Sequence, residues 1–131
     1  MENNSIDIII PNYNKSNYLE ESINSVCKQT FQNWKLYLID DCSKDNSRKI
    51  IDKFKNNRKI KILFLKKNKG PSFCRNLGIR ISNSKLIAFL DSDDYWDKNK
   101  LELQIDFMTK NNYEFTFTDY ISFKEKNGEK N

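Results

Sequence analysis

Apolar runs of strand length alternate along this chain with segments of helical period, and that alternation leaves few folds open. Ile6 to Ile10 is a nearly continuous β-branched run, the pattern of a strand buried on both faces. Leu36 to Ile39, Ile60 to Leu65 and Leu86 to Leu90 repeat it, and Phe115 to Thr118 reads as a fifth strand. Between them, Leu19, Ile23, Val26 and Cys27 fall on one helical stripe. Ile50, Ile51 and Phe54 form a second stripe, Leu77 and Ile81 a third, and Leu101, Ile105 and Met108 a fourth. Strands alternating with helices predict an α/β domain, with a mostly parallel sheet, helices on both faces and right-handed crossovers. Local chemistry predicts the helix starts: Asn17 with Glu20 as a capping box, Ser43 or Asp45 for the second helix, and Asp97 for the last.

At 131 residues the chain holds one domain of ordinary size, and the tail from Lys124 is polar. We expect a domain over residues 1–123 and a frayed tail over 124–131. No apolar run approaches a membrane span, and the N-terminus lacks the pattern of a signal peptide. Cys27, Cys42 and Cys74 are odd in number and widely spaced, which argues against a disulfide framework or a zinc site and points to a reducing cytoplasm. With no histidine in the chain, catalysis would rest on carboxylates.

The formal charge of +5 is uneven. The overall excess of Lys and Asn reads as base-composition bias in the gene. The stretch from Lys53 to Lys69, however, carries eight cations and no carboxylate. Lysine on an edge strand discourages sheet-to-sheet pairing; the alternative is a patch facing anionic lipid head groups or nucleic acid. No stacking platform or nucleic-acid motif accompanies it, so nucleic acid is not expected as a partner.

Ligands of open parallel sheets bind beyond the carboxyl ends of the strands. Polar clusters follow three strands here: Pro11-Asn12-Tyr13-Asn14, Asp40-Asp41, and Asp91-Ser92-Asp93-Asp94. They are expected to face one crevice that holds a nucleotide diphosphate and a divalent metal. Asp91 and Asp93 point the same way in extended backbone, and a bound cation relieves their repulsion. Magnesium or manganese suits such a pair, since it takes one or two carboxylates and fills its other positions with phosphate oxygens and water. Without a ligand, the same residues would be an exposed acidic turn. Arg75, near the start of the third helix, can pair with a phosphate, with Asp40 or with Asp91. Asp40 can instead cap the following helix, a role open also to Asp41 or Ser43. Tyr13 can stack on a planar base or simply pack.

Taken in order, Ile8-Ile9-Ile10-Pro11-Asn12-Tyr13-Asn14, Tyr18-Leu19, Ser22-Ile23, Gln29-Thr30-Phe31, Ile39-Asp40-Asp41, Arg75-Asn76-Leu77-Gly78-Ile79, Phe89-Leu90-Asp91-Ser92-Asp93-Asp94 and Lys100-Leu101 resemble the family 2 glycosyltransferases of the GT-A fold. The resemblance implies transfer of a sugar from a nucleotide-diphosphate sugar, a UDP-sugar, to an acceptor hydroxyl with inversion. It places Pro11 and Tyr13 beside the nucleotide, Asp40 on the base, Arg75 by the phosphates, Asp91 by the ribose or metal, and Asp93 on the metal, with Asn14 and Ser92 as further nucleotide-binding candidates. It also implies a glycan or lipid-linked acceptor in bacterial surface-polysaccharide synthesis, and a cytoplasmic site peripheral to the inner membrane face. Cys42 departs from the family's usual glycine and Cys74 from its usual alanine. The acceptor half and general base of the family are not recognisable after Thr118, so the chain is expected to be a donor-binding fragment with little or no transfer activity. A non-catalytic nucleotide-sugar-binding module is the alternative. A receiver-like signalling domain is disfavoured because its acidic pair follows the first strand. With only Gly70, Gly78 and Gly128, the chain also lacks a phosphate-cradling glycine loop.

Overall fold

A computed structural model describes residues 4–126 and 129–130. Four strands, β1 (Ile6–Asn12), β2 (Trp34–Asp40), β3 (Ile60–Phe64) and β4 (Leu86–Phe89), form one parallel sheet in the order β3-β2-β1-β4. The helices are α1 (Ser16–Cys27), α2 (Ser47–Asp52), α3 (Pro71–Ile81) and α4 (Lys100–Asn111). A two-residue antiparallel pair, β5 (Glu125–Lys126) with β6 (Glu129–Lys130), lies within the tail expected to fray. Residues 127, 128 and 131 of that tail lie outside the described residues.

All seven residues of β1 are buried, as a central strand between β2 and β4 must be. Alternation sorts its side chains. Ile6, Ile8 and Ile10 join Leu19, Ile23 and Val26 of α1, Ile51 of α2, and Leu101 and Ile105 of α4 in the larger core. Ile9 points to the other face, where Tyr37, Ile39 and Cys74 meet Leu63, Leu77 and Ile81. Helices therefore cover both faces, three on one and α3 alone on the other.

A single helix covers its face only by close approach. A Cβ on Gly78 would lie 2.7 Å from side-chain carbons of Ile9, so α3 sits on β1 through that glycine. At the far end of β1, Asp7 is 2% exposed and accepts hydrogen bonds from Ser82 Oγ, Asn83 N, Ser84 N and Ser84 Oγ. It anchors the turn by which the chain leaves α3 for β4.

Several expectations are corrected. Helix α1 starts at Ser16, and its N-cap, Lys15, makes no side-chain capping bond. Asn17 therefore lies inside the first turn, and Glu20 pairs with Lys53 at 3.1 Å instead of closing a capping box. The Ser16 N–H is taken by Asp45 Oδ2 at 2.9 Å, while Asp45 Oδ1 accepts from Ser47 N at 3.0 Å. One carboxylate thus serves two helix N-termini, and Ser43 serves neither. Asp97 accepts from Asn99 N, one residue before α4 begins, and Asn99 itself is the N-cap.

Strand β4 is at the sheet edge and is not buried on both faces. Leu86 and Ala88 pack into the larger core, but Ile87 is 37% and Phe89 46% exposed. The strand expected from Phe115 to Thr118 is absent: residues 113–118 have no strand structure, and Phe115 and Phe117 are each 81% exposed. Their alternation is strand chemistry, but a strand exists only through a ladder, and this segment pairs with no described strand.

Two outcomes follow from this packing. Gly78→Ala should lower the unfolding free energy by about 1–3 kcal/mol through overpacking against Ile9, and Ile9→Val should restore part of it, as read by urea denaturation. Burial pushes the Asp7 carboxyl up, but hydrogen bonds from Ser82, Asn83 and Ser84 outweigh it and leave it below its ordinary value of 3.8. Asp45 behaves likewise: burial opposes, but bonds from Ser47 and Ser16 bring it to about 2. A carboxyl lowered in the folded state stabilises above its unfolded value and loses that contribution on acidification. The urea midpoint should therefore fall as pH drops from the ordinary carboxylate range towards about 2. Asp7→Asn should lower the neutral-pH midpoint and flatten part of that acid loss.

Candidate nucleotide-sugar site

The order β3-β2-β1-β4 puts a reversal in the order of strand addition between β1 and β4, because successive strands step outward to β3 and then cross back. Such a switch point opens a crevice beyond the strand ends. A cavity of about 360 Å³ occupies it. Pro11, Tyr13, Arg75, Asp91, Ser92 and Asp93, all singled out in the sequence, line this cavity together.

Asn14 and Asp40 do not line it. Asn14, at φ 53, accepts from Lys44 N through Oδ1 and donates its N–H to Ser43 Oγ, lacing the loop after β1 to the loop after β2. Asp40 is 4% exposed and already engaged. Its Oδ1 accepts from Asn12 Nδ2 at 2.9 Å and Ser43 Oγ at 2.7 Å, and its Oδ2 accepts from Ser43 N at 3.0 Å.

The neighbouring Asp41 faces the cavity instead, and sequence reasoning gave it only a capping alternative. Its Oδ1 accepts from Lys69 N at 2.7 Å and its Oδ2 from Gly70 N at 2.8 Å, just ahead of α3. Gly70 has φ 92, and Pro71 follows at the first turn of the helix. Asp41 thereby positions the start of α3 and, one turn on, Arg75. Burial, followed by the Asp41 charge and hydrogen bond, pushes the Cys74 thiol up to about 11, so it is no nucleophile at neutral pH. Cys42 adopts φ 62, the left-handed region where glycine is at home, which accounts for the family's usual residue there.

Asn12 also lines the cavity. Its Nδ2 donates to Asp40 and Ser43, but its buried Oδ1 has no partner among the described residues. A buried acceptor left unpaired costs about 1–3 kcal/mol, which a ligand N–H would recover.

The acidic turn supplies the charge. Asp91, Asp93 and Asp94 each bring a carboxylate oxygen within 4.8 Å of the others, and all three are exposed. Burial, then the charges of Asp93 and Asp91, push the Asp94 carboxyl up, the signature of carboxylates crowded together. Two cations offset the cluster: Arg75 Nη2 lies 2.8 Å from Asp91 Oδ1, and Lys15 Nζ 3.2 Å from Asp93 Oδ2. Of the partners open to Arg75, the structure selects Asp91. Lys15 was not legible as a site residue, because the loop after β1 had to fold back over the acidic turn first. Hard oxygen donors in this number fit a divalent metal of the magnesium or manganese kind. A larger groove of about 480 Å³ runs along α1 against Tyr95 and Trp96, but none of these aspartates lines it.

An open parallel sheet with a carboxylate triad, an arginine and a helix start gathered at its switch point defines an α/β protein with a charged crevice there. The family model for "Glycosyl transferase family 2" matches residues 7–131, and the chain belongs to that family of glycosyl-transferring enzymes. It is 43% identical over 120 residues to the Escherichia coli UDP-Glc:alpha-D-GlcNAc-diphosphoundecaprenol beta-1,3-glucosyltransferase WfgD, covering 92% of this chain and 47% of that protein. To the putative teichuronic acid biosynthesis glycosyltransferase TuaG of Bacillus subtilis it is 37% identical over 116 residues, 88% of this chain and 46% of the relative. The chain spans between about a fifth and about half the length of such relatives. Among solved structures, S. aureus TarS 1-349 in complex with UDP-GlcNAc superposes with a TM-score of 0.77 at 32% identity, over 82% of this chain and 32% of that one. The fold is that of the GT-A glycosyltransferases.

Asp41→Ala should leave the Lys69 and Gly70 N–H groups without their acceptor and cost about 2–3 kcal/mol in thermal unfolding.

Proposed function

We propose that this chain binds a UDP-sugar in the switch-point cavity, as the donor-binding part of an enzyme that passes the sugar to a hydroxyl of a lipid-linked glycan in bacterial surface-polysaccharide synthesis. The observation that carries the reading is the joining of Asp91 and Asp93 of the acidic triad, Arg75 and the Asp41-anchored start of α3 at one cavity. The UDP-GlcNAc complex of TarS and the lipid-linked acceptor in the name of WfgD support the donor and acceptor classes.

Asp91, Asp93 and Asp94 would hold a divalent metal, manganese or magnesium. Such a metal, when bound, offsets charge on a departing nucleoside diphosphate. The chain's own residues do the rest. Arg75 and Lys15 exchange a carboxylate partner for phosphate oxygens, so the site is prepared for anions before they arrive. The start of α3 adds backbone N–H groups. Pro11 and Tyr13 form an apolar wall for the nucleoside, and Asn12 Oδ1 offers an acceptor for a base N–H. Asp41, rather than Asp40, is the aspartate of that pair that lines the cavity, while Asp40 and Asn14 hold the two loops in place. The Ser92 side chain, buried behind the acidic turn, shapes the floor.

Calorimetric titration with UDP should show binding in manganese that weakens at least tenfold without the metal. Asp93→Asn and Arg75→Ala should each lose tenfold or more, while Asp40→Asn should act mainly on the melting temperature. Equal binding with and without metal, unchanged in Asp93→Asn, would overturn the metal–diphosphate reading. Tighter binding of GDP or dTDP would overturn uridine.

A further inference from the structure

We propose that the basic edge of the sheet, from Lys53 to Lys69, is a docking surface for anionic lipid head groups. This goes beyond the donor reading and does not depend on it; only its consequence for the acceptor does.

The cations are concentrated here. Eight of the chain's 23 lysines and arginines fall in this stretch, with none of its 18 carboxylates, so carboxylates outnumber cations in the remainder. Compositional bias would spread lysine evenly and does not explain this. Protection of an edge strand does not explain it either. Strand β3 is indeed outermost, and Lys61 stands on it. But Lys55 and Arg58 lie before the strand, and Lys66, Lys67 and Lys69 after it, where no ladder edge needs guarding.

Most of these charges are free for a partner. Lys53 pairs with Glu20, and Lys59 donates to the Gln32 carbonyl. Lys55, Arg58, Lys61, Lys66 and Lys67 are exposed and have no carboxylate partner among the described residues. Unpaired like charges held along one edge raise a positive potential that falls off within a Debye length of an opposing surface.

The aromatic rings in and around the stretch decide between polyanions. Single-stranded nucleic acid binds basic grooves through open ring faces on which bases stack. Here Arg48 lies 4.2 Å from the Phe64 ring centroid, Lys59 3.7 Å from that of Trp34, and Lys69 5.7 Å from that of Phe73. Phe54 packs against the larger core and each of these three rings already carries a cation, so the surface offers charge without stacking, which suits a lipid head-group layer.

The position also fits. Lys66, Lys67 and Lys69 share their loop with Asn68 and Gly70, which line the cavity at the strand ends. A bilayer against this edge would lie beside the cavity rim, where a lipid-borne acceptor arrives.

The test is co-sedimentation of the purified chain with vesicles of phosphatidylcholine alone or mixed with phosphatidylglycerol. We expect binding only to the mixed vesicles, falling steeply with added salt. The exposed triple variant Lys61→Gln, Lys66→Gln, Lys67→Gln should lose at least tenfold with an unchanged melting temperature. A charge-matched control, Lys28→Gln, Lys98→Gln, Lys124→Gln, should bind like the parent. Equal loss in the control, no binding to the mixed vesicles, or tighter binding to single-stranded DNA than to vesicles would each overturn the proposal. UDP titration of the triple variant separates this outcome from failure of the donor reading, because no substituted lysine lines the cavity.

Discussion

The burial of β1 on both faces and both edges is the constraint on which the rest of the structure depends. A strand with no face to water must be apolar on both sides and must have every backbone group paired in a ladder. Ile8, Ile9 and Ile10 meet the first demand, and β2 and β4 the second. Placing β1 at the centre forces β2 and β3 to one side and β4 to the other, and so opens the switch point. Even the polar residues of β1 obey the rule. Asp7 is buried only because four donors reach it, and Asn12 only because Asp40 and Ser43 accept its amide.

The carboxylates at the strand ends divide by how firmly they are held. Asp40 and Asp41 are buried, and their oxygens are committed to Asn12, Ser43, Lys69 and Gly70. They form the framework of the cavity. Asp91 and Asp93 are exposed and touch only the tips of Arg75 and Lys15. Such surface pairs contribute little stability and exchange easily. The rigid pair shapes the site, while the loose pairs leave both signs of charge available to a ligand. Gln29 steadies the arrangement from below. It is buried, donates to the Ser25 and Asp97 carbonyls, and accepts from Leu101 N, tying the end of α1 to the start of α4.

Most of the candidate site was legible in the sequence because its residues follow strands, and strands announce themselves by apolar runs. Six of the eight residues singled out meet at one cavity. The two that do not, Asn14 and Asp40, turn away from it for one reason. Position after a strand says which end of the sheet a residue occupies, not which way its side chain turns. Asp40 and Asp41 are neighbours in sequence and both buried, but only Asp41 lines the cavity, and only the packing of Ser43 and Asn12 against Asp40 decides between them. Capping was misread similarly. Asp45 supplies the start of α1 from a loop about thirty residues away, which no local motif encodes.

The alternation of the four sheet strands with helices, the parallel class of the sheet and the acidic turn that follows its last strand were all determined by the sequence alone. Hydrophobic period and side-chain chemistry are local properties, and they survive without knowledge of the fold. Tertiary structure decided which strand is central, which edges stay open, and which aspartate faces the cavity. It also decided that Lys15 and Arg75 balance the acidic turn, and that Phe115 to Thr118 finds no strand to pair with. Each of these depends on what a residue meets across the chain, because backbone ladders, buried carboxylates and ion pairs exist only between partners that folding brings together.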